Sequence, residues 1–205
     1  LSSSIKSIKR LGYFESVNYN LEETGSYNSL DIIIKVKEMN TGSVSFGIGY
    51  SSLNDTSMSF GLNERNFLGE GKKIRLQADL SSRKSTYSIG MTEPYFLDRH
   101  LSLFGNIFDQ ESENSKGDVK SNSSGIDFGI GFQSKEIYQT LKYKLTTSET
   151  TTSSNSTANS ITGEEGVEII TSSISHSLSK DTRDSFFNPT SGYKWRFQNT
   201  IAGIG

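Results

Sequence analysis

Apolar residues alternate with small or polar residues along residues 41–50. The apolar set shares one parity: Val44, Phe46, Ile48 and Tyr50. The small set shares the other parity: Ser43, Ser45, Gly47 and Gly49. Because successive side chains of a β-strand point to opposite faces, this pattern predicts a strand with one apolar face. The same alternation recurs to the end of the chain, so we predict a mainly β fold from residue 41 onward.

Nine strands are predicted after residue 40. They are residues 42–51, 56–65, 72–82, 86–93, 100–110, 125–133, 138–147, 167–178 and 192–201. Most are close to the roughly 9–11 residues that a tilted strand needs to cross a bilayer. Two residues of the fifth strand, Phe104 and Phe108, fall on its otherwise polar parity and do not fit the pattern.

The two faces of the predicted sheet differ in charge. The polar parity of the third strand carries Lys73, Arg75, Gln77 and Asp79. A face this charged does not suit the core of a small soluble domain, whereas it suits the wet interior of a membrane barrel. The apolar parity is then predicted to face lipid. Its members in the first three strands include Val44, Phe46, Ile48, Met58, Phe60, Leu62, Ile74 and Leu76.

The connections between the predicted strands alternate between two ends of the sheet. One end has the segments 66–71, 94–99, 134–137 and 179–191, which contain both prolines of the chain. The other end has the segments 52–55, 83–85, 111–124 and 148–166, of which the last two are long and polar. Short periplasmic turns and long outer loops are typical of bacterial outer-membrane barrels. Aromatic residues near strand ends are predicted to form interface girdles: Phe67, Tyr95, Phe96, Tyr138, Phe186 and Phe187.

Residues 1–40 follow a different pattern. Three apolar residues at a spacing of three predict a helix over residues 2–11. Alternating segments at residues 17–21 and 30–36 then predict a hairpin of two strands. A helix followed by a hairpin suits the end of a small α+β module. We therefore predict a domain boundary between residues 40 and 41.

Composition excludes several classes of protein. Hydrophobic residues make up 32% of the 205 residues, and the chain lacks the roughly 20 consecutive apolar residues of a transmembrane helix. The net charge of −2 gives no reason to expect a nucleic-acid partner. The absence of cysteine excludes disulfides and thiolate metal sites. The chain starts at Leu1 without methionine and ends just after a strand pattern, so we expect it to be a fragment of a longer protein.

Candidates for catalytic or cofactor-binding residues are few. The two histidines, His100 and His176, lie far apart, and no metal-binding spacing surrounds either. A hydrolase site around His176 is a weaker interpretation than a histidine of the barrel wall. Residues 69–72 lack the full glycine spacing of a phosphate loop and open a strand instead of a helix. We predict no catalytic residue, no cofactor and no metal ion.

A charged cluster of Asp181, Arg183 and Asp184 precedes the sequence Asn188–Gly192. The two carboxylates would suit acid–base chemistry or a calcium ion. An arginine between them suits instead an ordered turn held by an Arg–Asp ion pair, and this is the interpretation we favour.

The glycines of the first strand, Gly42, Gly47 and Gly49, leave its backbone approachable. As ordinary barrel glycines they would let the strand bend. Alternatively, the strand pairs loosely and exchanges partners, which would make residues 41–50 a site of β-strand addition. The residue pattern leaves both interpretations open.

Six segments resemble the BamA family of outer-membrane protein assembly factors. They are Arg10–Val17, Val36–Gly42, Phe46–Tyr50, Asn66–Gly71, Glu93–Phe96 and Asp184–Gly192. They occur in order over nearly the whole chain. The first three are similar to the place where the last POTRA domain of the family joins its barrel, and the others are similar to periplasmic turns.

By this resemblance, residues 1–40 are the C-terminal part of a periplasmic POTRA domain. Residues 41–205 are strands 1–9 of a transmembrane antiparallel β-barrel that has sixteen strands in the family. The resemblance implies a protein without a chemical step that folds and inserts β-barrel proteins into the bacterial outer membrane. The first strand, from Thr41 to Tyr50, would pair with incoming client strands at a lateral gate.

The resemblance also implies partners, namely unfolded β-barrel clients, accessory lipoproteins that dock on the POTRA domains, and outer-membrane lipids. Two alternatives stay open. A translocation-and-assembly protein or a two-partner secretion transporter shares the architecture. A passive porin-like channel suits the charged inner face but does not explain residues 1–40.

Overall fold

The computed structural model describes residues 2–23, 30–52, 55–114, 119–152, 166–185 and 188–203. Helix α1 spans Ser2–Arg10, and the turn after it contains Gly12, whose φ of +70° is the left-handed conformation that glycine adopts readily after a helix. Within the described ranges, none of the helices has the length and apolar content needed to cross a bilayer.

Strands β1 (Phe14–Glu23) and β2 (Leu30–Glu38) form an antiparallel hairpin. Val17 pairs with Val36 and Tyr19 pairs with Ile34, so the apolar residues of both strands share one face. Val17 of this face and Ile5 of α1 are the buried apolar side chains of the module, which we call the N-terminal module (residues 2–38). The predicted helix and hairpin are confirmed.

The rest of the described chain forms a second sheet of nine strands. These are β3 (Gly42–Ser51), β4 (Asp55–Phe67), β5 (Lys72–Ser81), β6 (Lys84–Glu93), β7 (Leu101–Glu113), β8 (Val119–Ser134), β9 (Ile137–Thr152), β10 (Glu168–Asp181) and β11 (Lys194–Ala202). Each strand pairs antiparallel with its neighbours in sequence, from β3 at one edge to β11 at the other. The mainly β fold and the number of strands are confirmed.

The register of β3, β4 and β5 places the predicted apolar residues on one face of the sheet. Val44 pairs with Leu62, which pairs with Leu76, and Phe46 pairs with Phe60. The pairs Ile48 with Met58 and Glu64 with Ile74 lie on the same face. We call this face the apolar face and the opposite one, which carries Arg75 and Asp79, the polar face.

The connections lie at two ends of the sheet. The end beside the N-terminal module, here called the arm-side end, has the turns after β4, β6, β8 and β10. The opposite end has the connections after β3, β5, β7 and β9. A short 3₁₀ helix, Phe96–Asp98, forms part of the β6–β7 turn.

The prediction of a long loop over residues 111–124 is wrong in extent. β7 continues to Glu113 and β8 begins at Val119, and the two strands stay in register as far as the pair Glu113 with Lys120. Backbone hydrogen bonds form such a ladder whatever the side chains are, and the ion pair between Lys120 and Glu111 (2.5 Å) adds to it. Strand β9 likewise extends to Thr152. The remainder of the predicted loop at 148–166 lies largely outside the described residues.

The structure explains the two phenylalanines that broke the alternation of β7. Both lie on the polar face and cover glycines of β8. A Cβ atom added to Gly129 would lie 2.6 Å from the ring of Phe104, and one added to Gly125 would lie 3.0 Å from the ring of Phe108. Phe108 also receives the ammonium of Lys144 at 4.6 Å from its ring centre. The rings therefore fill space that β8 leaves open on the polar face.

Candidate functional site

Strand β3, which holds nearly all of the predicted site Thr41–Tyr50, lies at an edge of the nine-stranded sheet. It pairs with β4 on one side, and within the described ranges no strand lies on its other side. Val44, Phe46 and Ile48 are 66–68% exposed. The backbone of an edge strand presents unpaired N–H and C=O groups that another strand can join.

The middle of the β3–β4 pair carries only serine and glycine on its polar face, at Ser45, Gly47, Gly49, Ser57, Ser59 and Gly61. Gly47 lies opposite Ser59, and Gly61 lies opposite Ser45. A Cβ atom added to Gly47 would meet only the Ser59 hydroxyl within 3.5 Å, at 2.5 Å from its Oγ. Cross-strand contacts between side chains contribute much of the stability of a sheet, and these small residues offer few of them. The pairing of β3 therefore rests mainly on its backbone and on its apolar face.

The beginning of β3 is fastened to β4 and to the β4–β5 turn. The hydroxyl of Thr41 is buried and donates a short hydrogen bond to the carboxylate of Glu64. The same carboxylate accepts the backbone N–H of Asn66 at 2.7 Å. The Asn66 side chain in turn accepts the N–H of Gly71 at 2.7 Å. Thr41 belongs to the predicted site, whereas the alternation pattern gave no signal for Glu64 or Asn66.

The N-terminal module contacts the same turn through Tyr13. Its hydroxyl donates to the carbonyl of Gly71 at 3.4 Å. Its own carbonyl accepts the N–H of Met39 at 3.0 Å. Burial raises the pKa of Tyr13, and the nearby Tyr95 and Glu93 act in the same direction. Tyr13 was not among the predicted site residues.

The β10–β11 turn is ordered by a network of hydrogen bonds. Arg183 forms a bidentate pair with Asp181, at 2.8 and 2.7 Å, which confirms the predicted ion pair. Asp184 also orders the turn, because its side chain accepts several hydrogen bonds. Its carboxylate accepts the N–H groups of Thr190 and Ser191 at 3.0 and 3.1 Å and the Thr190 hydroxyl at 2.5 Å.

Comparison with known proteins decides the family of the chain. Residues 66–205 match the family model described as the Omp85 superfamily domain. The chain belongs to the Omp85 superfamily.

Relatives of this Omp85 chain include proteins named outer membrane protein assembly factor BamA. The one from Nitratidesulfovibrio vulgaris is 32% identical over 99% of the chain and 25% of its own length. The one from Neorickettsia risticii is 27% identical over 100% of the chain and 28% of its own length. The chain thus spans about a quarter of these relatives. The resemblance noted in the sequence to the BamA family is confirmed.

Two further comparisons extend the picture. A eukaryotic relative, the sorting and assembly machinery component 50 homolog A of Xenopus laevis, is 24% identical over 95% of the chain and 42% of its own length. The crystal structure of BamA from Haemophilus ducreyi lacking POTRA domains 1–3 has a TM-score of 0.80 with 24% identity. The superposition covers 100% of this chain and 42% of the Haemophilus ducreyi chain. The two proteins have the same fold over this region.

The two histidines of this Omp85 chain, which were considered as candidates for a catalytic or metal site, lie in different surroundings. His100 lies against the ring of Tyr95, with 5.9 Å between ring centres. His176 lies on the apolar face and shares a hydrogen bond of 3.3 Å with Gln139. Within the described ranges, histidine, aspartate and glutamate form no group that could hold a metal ion.

The aromatic residues predicted as interface girdles lie at the arm-side end where they are described. Phe67, Tyr95 and Tyr138 are partly exposed there. Phe186 and Phe187 lie outside the described residues. The contact of this set with a membrane interface stays a prediction.

The turn at Asp184 gives a pH prediction. Hydrogen bonds lower the pKa of Asp184 to about 2. The Thr190 hydroxyl contributes most, followed by the N–H of Ser191 and the N–H of Thr190. Since the pKa is below the ordinary value of 3.8, the carboxylate stabilises the turn above about pH 4 and loses this effect as pH falls towards 2. The amide signals of Thr190 in the protein labelled at threonine should therefore titrate with a midpoint near 2. A midpoint near 4, or an unchanged titration in Asp184→Asn, would contradict the assignment.

Proposed function

We propose that this protein is an outer-membrane protein assembly factor, which folds and inserts β-barrel proteins into the bacterial outer membrane. The observation that carries the proposal is the similarity of the whole chain to relatives named for outer-membrane protein assembly. The match of residues 66–205 to the Omp85 superfamily domain supports it independently of those names.

The site that we assign to this function is the edge strand from Thr41 to Tyr50. An incoming client strand would join β3 through backbone hydrogen bonds, which is strand addition at a sheet edge. Such pairing accepts many client sequences, because N–H and C=O groups are the same in every strand. The small residues opposite Ser59 and Ser45 support this role, since they leave β3 weakly held to β4 on the polar face. Exchange of partners at a lateral gate needs a strand of this kind.

The proposed location follows from the two faces of the sheet. The apolar face, which includes Val44, Phe60 and Leu76, would contact outer-membrane lipids. An exposed apolar surface that extends over several strands is unfavourable in water and is typical of a membrane or protein interface. The polar face would line a wet lumen. Residues 1–40 would then be the end of a POTRA domain in the periplasm, beside the arm-side turns. Unfolded β-barrel clients and accessory lipoproteins are the partners that this arrangement proposes.

This function requires no covalent step by the protein. Folding of a client strand is driven by hydrogen bonding of backbone groups that would otherwise be unpaired in hydrocarbon, at several kcal/mol each. We therefore propose a non-enzymatic assembly factor that uses neither a metal ion nor a cofactor.

The test is depletion of the full-length protein in its host, with many outer-membrane barrel proteins quantified over time. We expect nearly all of them to fall together while their unfolded precursors collect in the periplasm. Loss of one exported protein or a small subset would point instead to a translocation-and-assembly or two-partner secretion relative. If other barrels were unchanged and only solute uptake fell, the porin-like function would replace our proposal.

A further inference from the structure

The N-terminal module meets the nine-stranded sheet at Tyr13. This residue lies three positions after the end of α1 and immediately before β1. Its carbonyl accepts the N–H of Met39, which follows β2, at 3.0 Å. Tyr13 therefore joins the beginning of the β1–β2 hairpin to its end at Met39, which is two residues before Thr41. A movement of the module relative to the sheet would change the contacts of Tyr13.

The ring of Tyr13 lies against Gly71 of the β4–β5 turn. A Cβ atom added to Gly71 would lie 3.3 Å from the Tyr13 hydroxyl, 3.6 Å from Cε2 and 3.8 Å from Cζ. The hydrogen bond from the hydroxyl to the Gly71 carbonyl is 3.4 Å long, near the outer limit for such a bond. The contact therefore depends more on the ring packed against the glycine than on the hydroxyl.

A closed circuit of contacts leads from Tyr13 back to the edge strand. Gly71 donates its N–H to the Asn66 side chain at 2.7 Å, and Asn66 donates its N–H to Glu64 at 2.7 Å. Glu64 accepts the hydroxyl of Thr41, which immediately precedes β3. The module, the β4–β5 turn and the start of β3 are thus joined through side chains as well as through the chain itself.

A second contact lies beside the first. A Cβ atom added to Gly12 would lie 3.6 Å from a guanidinium nitrogen of Arg65, so this arginine of β4 passes next to the residue before Tyr13. Gly12 thus lies against Arg65 of β4, and Tyr13 lies against Gly71 of the β4–β5 turn. The module therefore rests on the sheet at a defined place.

We propose that Tyr13 is a positioning residue, whose ring, seated on Gly71, fixes the angle between the N-terminal module and the sheet and so holds the start of β3. The angle between the module and the sheet can be measured in the absence of clients, so it is tested separately from the proposed assembly function. Any effect of Tyr13 on client assembly rests on the proposed function, in which client strands pair with β3.

The experiment measures the distance between the module and the sheet in the full-length protein in detergent micelles. Spin labels are attached at Glu22→Cys in β1 and Ser134→Cys in β8, both exposed positions. With Tyr13 and Gly71 intact, a narrow distance distribution is expected. Gly71→Ala and Tyr13→Ala should each broaden it or shift it, since the first places a methyl group 3.3 Å from the Tyr13 hydroxyl, closer than an ordinary contact, and the second removes the ring. Tyr13→Phe should keep the narrow distribution, because the ring packing remains.

Gly69→Ala is the matched control. Gly69 lies in the same turn with φ of +76°, close to the +71° of Gly71, so alanine is strained at both positions. Nothing lies within 4 Å of a Cβ atom at Gly69, whereas at Gly71 the Tyr13 ring does. A distribution as narrow in Gly71→Ala as in the parent protein, or one that broadens equally in Gly69→Ala, would overturn the proposal. Gel mobility without heating identifies the folded barrel in each variant.

Discussion

Replacing Gly129 by alanine is expected to lower the free energy of unfolding of the barrel by about 3 kcal/mol, the upper end of the usual range for overpacking. The added Cβ atom would lie 2.4 Å from the backbone carbonyl of Leu141 and 2.6 Å from the ring of Phe104. A flexible side-chain tip can rotate away from such an atom, but the Leu141 carbonyl belongs to the β9 backbone, which is paired on both sides. The strands must therefore separate locally or the Phe104 ring must leave its place.

The measurement is unfolding of the full-length protein by denaturant in detergent micelles, followed by gel mobility without heating. Gly90→Ala is the matched control, because Gly90 lies in the interior of the same sheet on β6. There the added atom would be 3.3 Å from the Asn106 side-chain oxygen and 3.7 Å from the Gly105 carbonyl. Alanine in place of an interior strand glycine then brings a gain of about 0.5–1 kcal/mol from backbone entropy. Equal stability of the two variants would show that Phe104 and Gly129 do not form a tight pair.

Stiffening the edge strand is expected to stop the assembly of client barrels while the variant itself still folds. The proposed change is Gly47→Val with Ser59→Ala, which adds a β-branched side chain to β3 and removes the hydroxyl at 2.5 Å. Valine favours the extended conformation and packs on its cross-strand neighbour, so β3 should be held more firmly to β4. Under the proposed function, β3 would then exchange partners more slowly. The readout is the level of several outer-membrane barrels in cells that depend on the variant.

The control makes the same kind of change at an interior pair of the sheet. Gly90→Val with Asn106→Ala places a valine opposite an alanine between β6 and β7, where a Cβ atom at Gly90 would lie 3.3 Å from the Asn106 side-chain oxygen. Neither of these strands is an edge, and neither pairs with β3. We expect client levels close to those of the parent. Loss of clients to the same degree in both variants would separate assembly from the edge strand.

The strands of the sheet and its apolar face could be predicted from the sequence alone. The alternation of apolar and polar residues is a property of each strand by itself, and it is visible in the segments that carry Val44, Phe60 and Leu76. Since every connection within the sheet links neighbouring strands, local order along the chain became order in space. The helix at Ser2–Arg10, the hairpin and the ordered turn at Arg183 were predictable for the same reason, as each depends on residues close together in sequence.

Strand ends were less predictable. Residues 111–113 and 120–124 are polar on both parities, so they gave no alternation, although they pair as far as Glu113 with Lys120. The pairing energy there comes from the backbone, which every sequence shares. Side-chain patterns therefore mark where a sheet has an apolar face and do not mark where its ladder ends.

Contacts between segments distant in sequence were decided only by the tertiary structure. Phe104 and Phe108 broke the pattern of their own strand because their partners are glycines of β8, more than fifteen residues away. Tyr13 and Gly71 are 58 residues apart, and nothing in either segment signals the other. Such a contact depends on how the strands are placed side by side, which fixes the neighbours of each glycine. The alternation of residues therefore specified the edge strand Thr41–Tyr50, whereas folding placed Glu64, Asn66 and Tyr13 around its beginning.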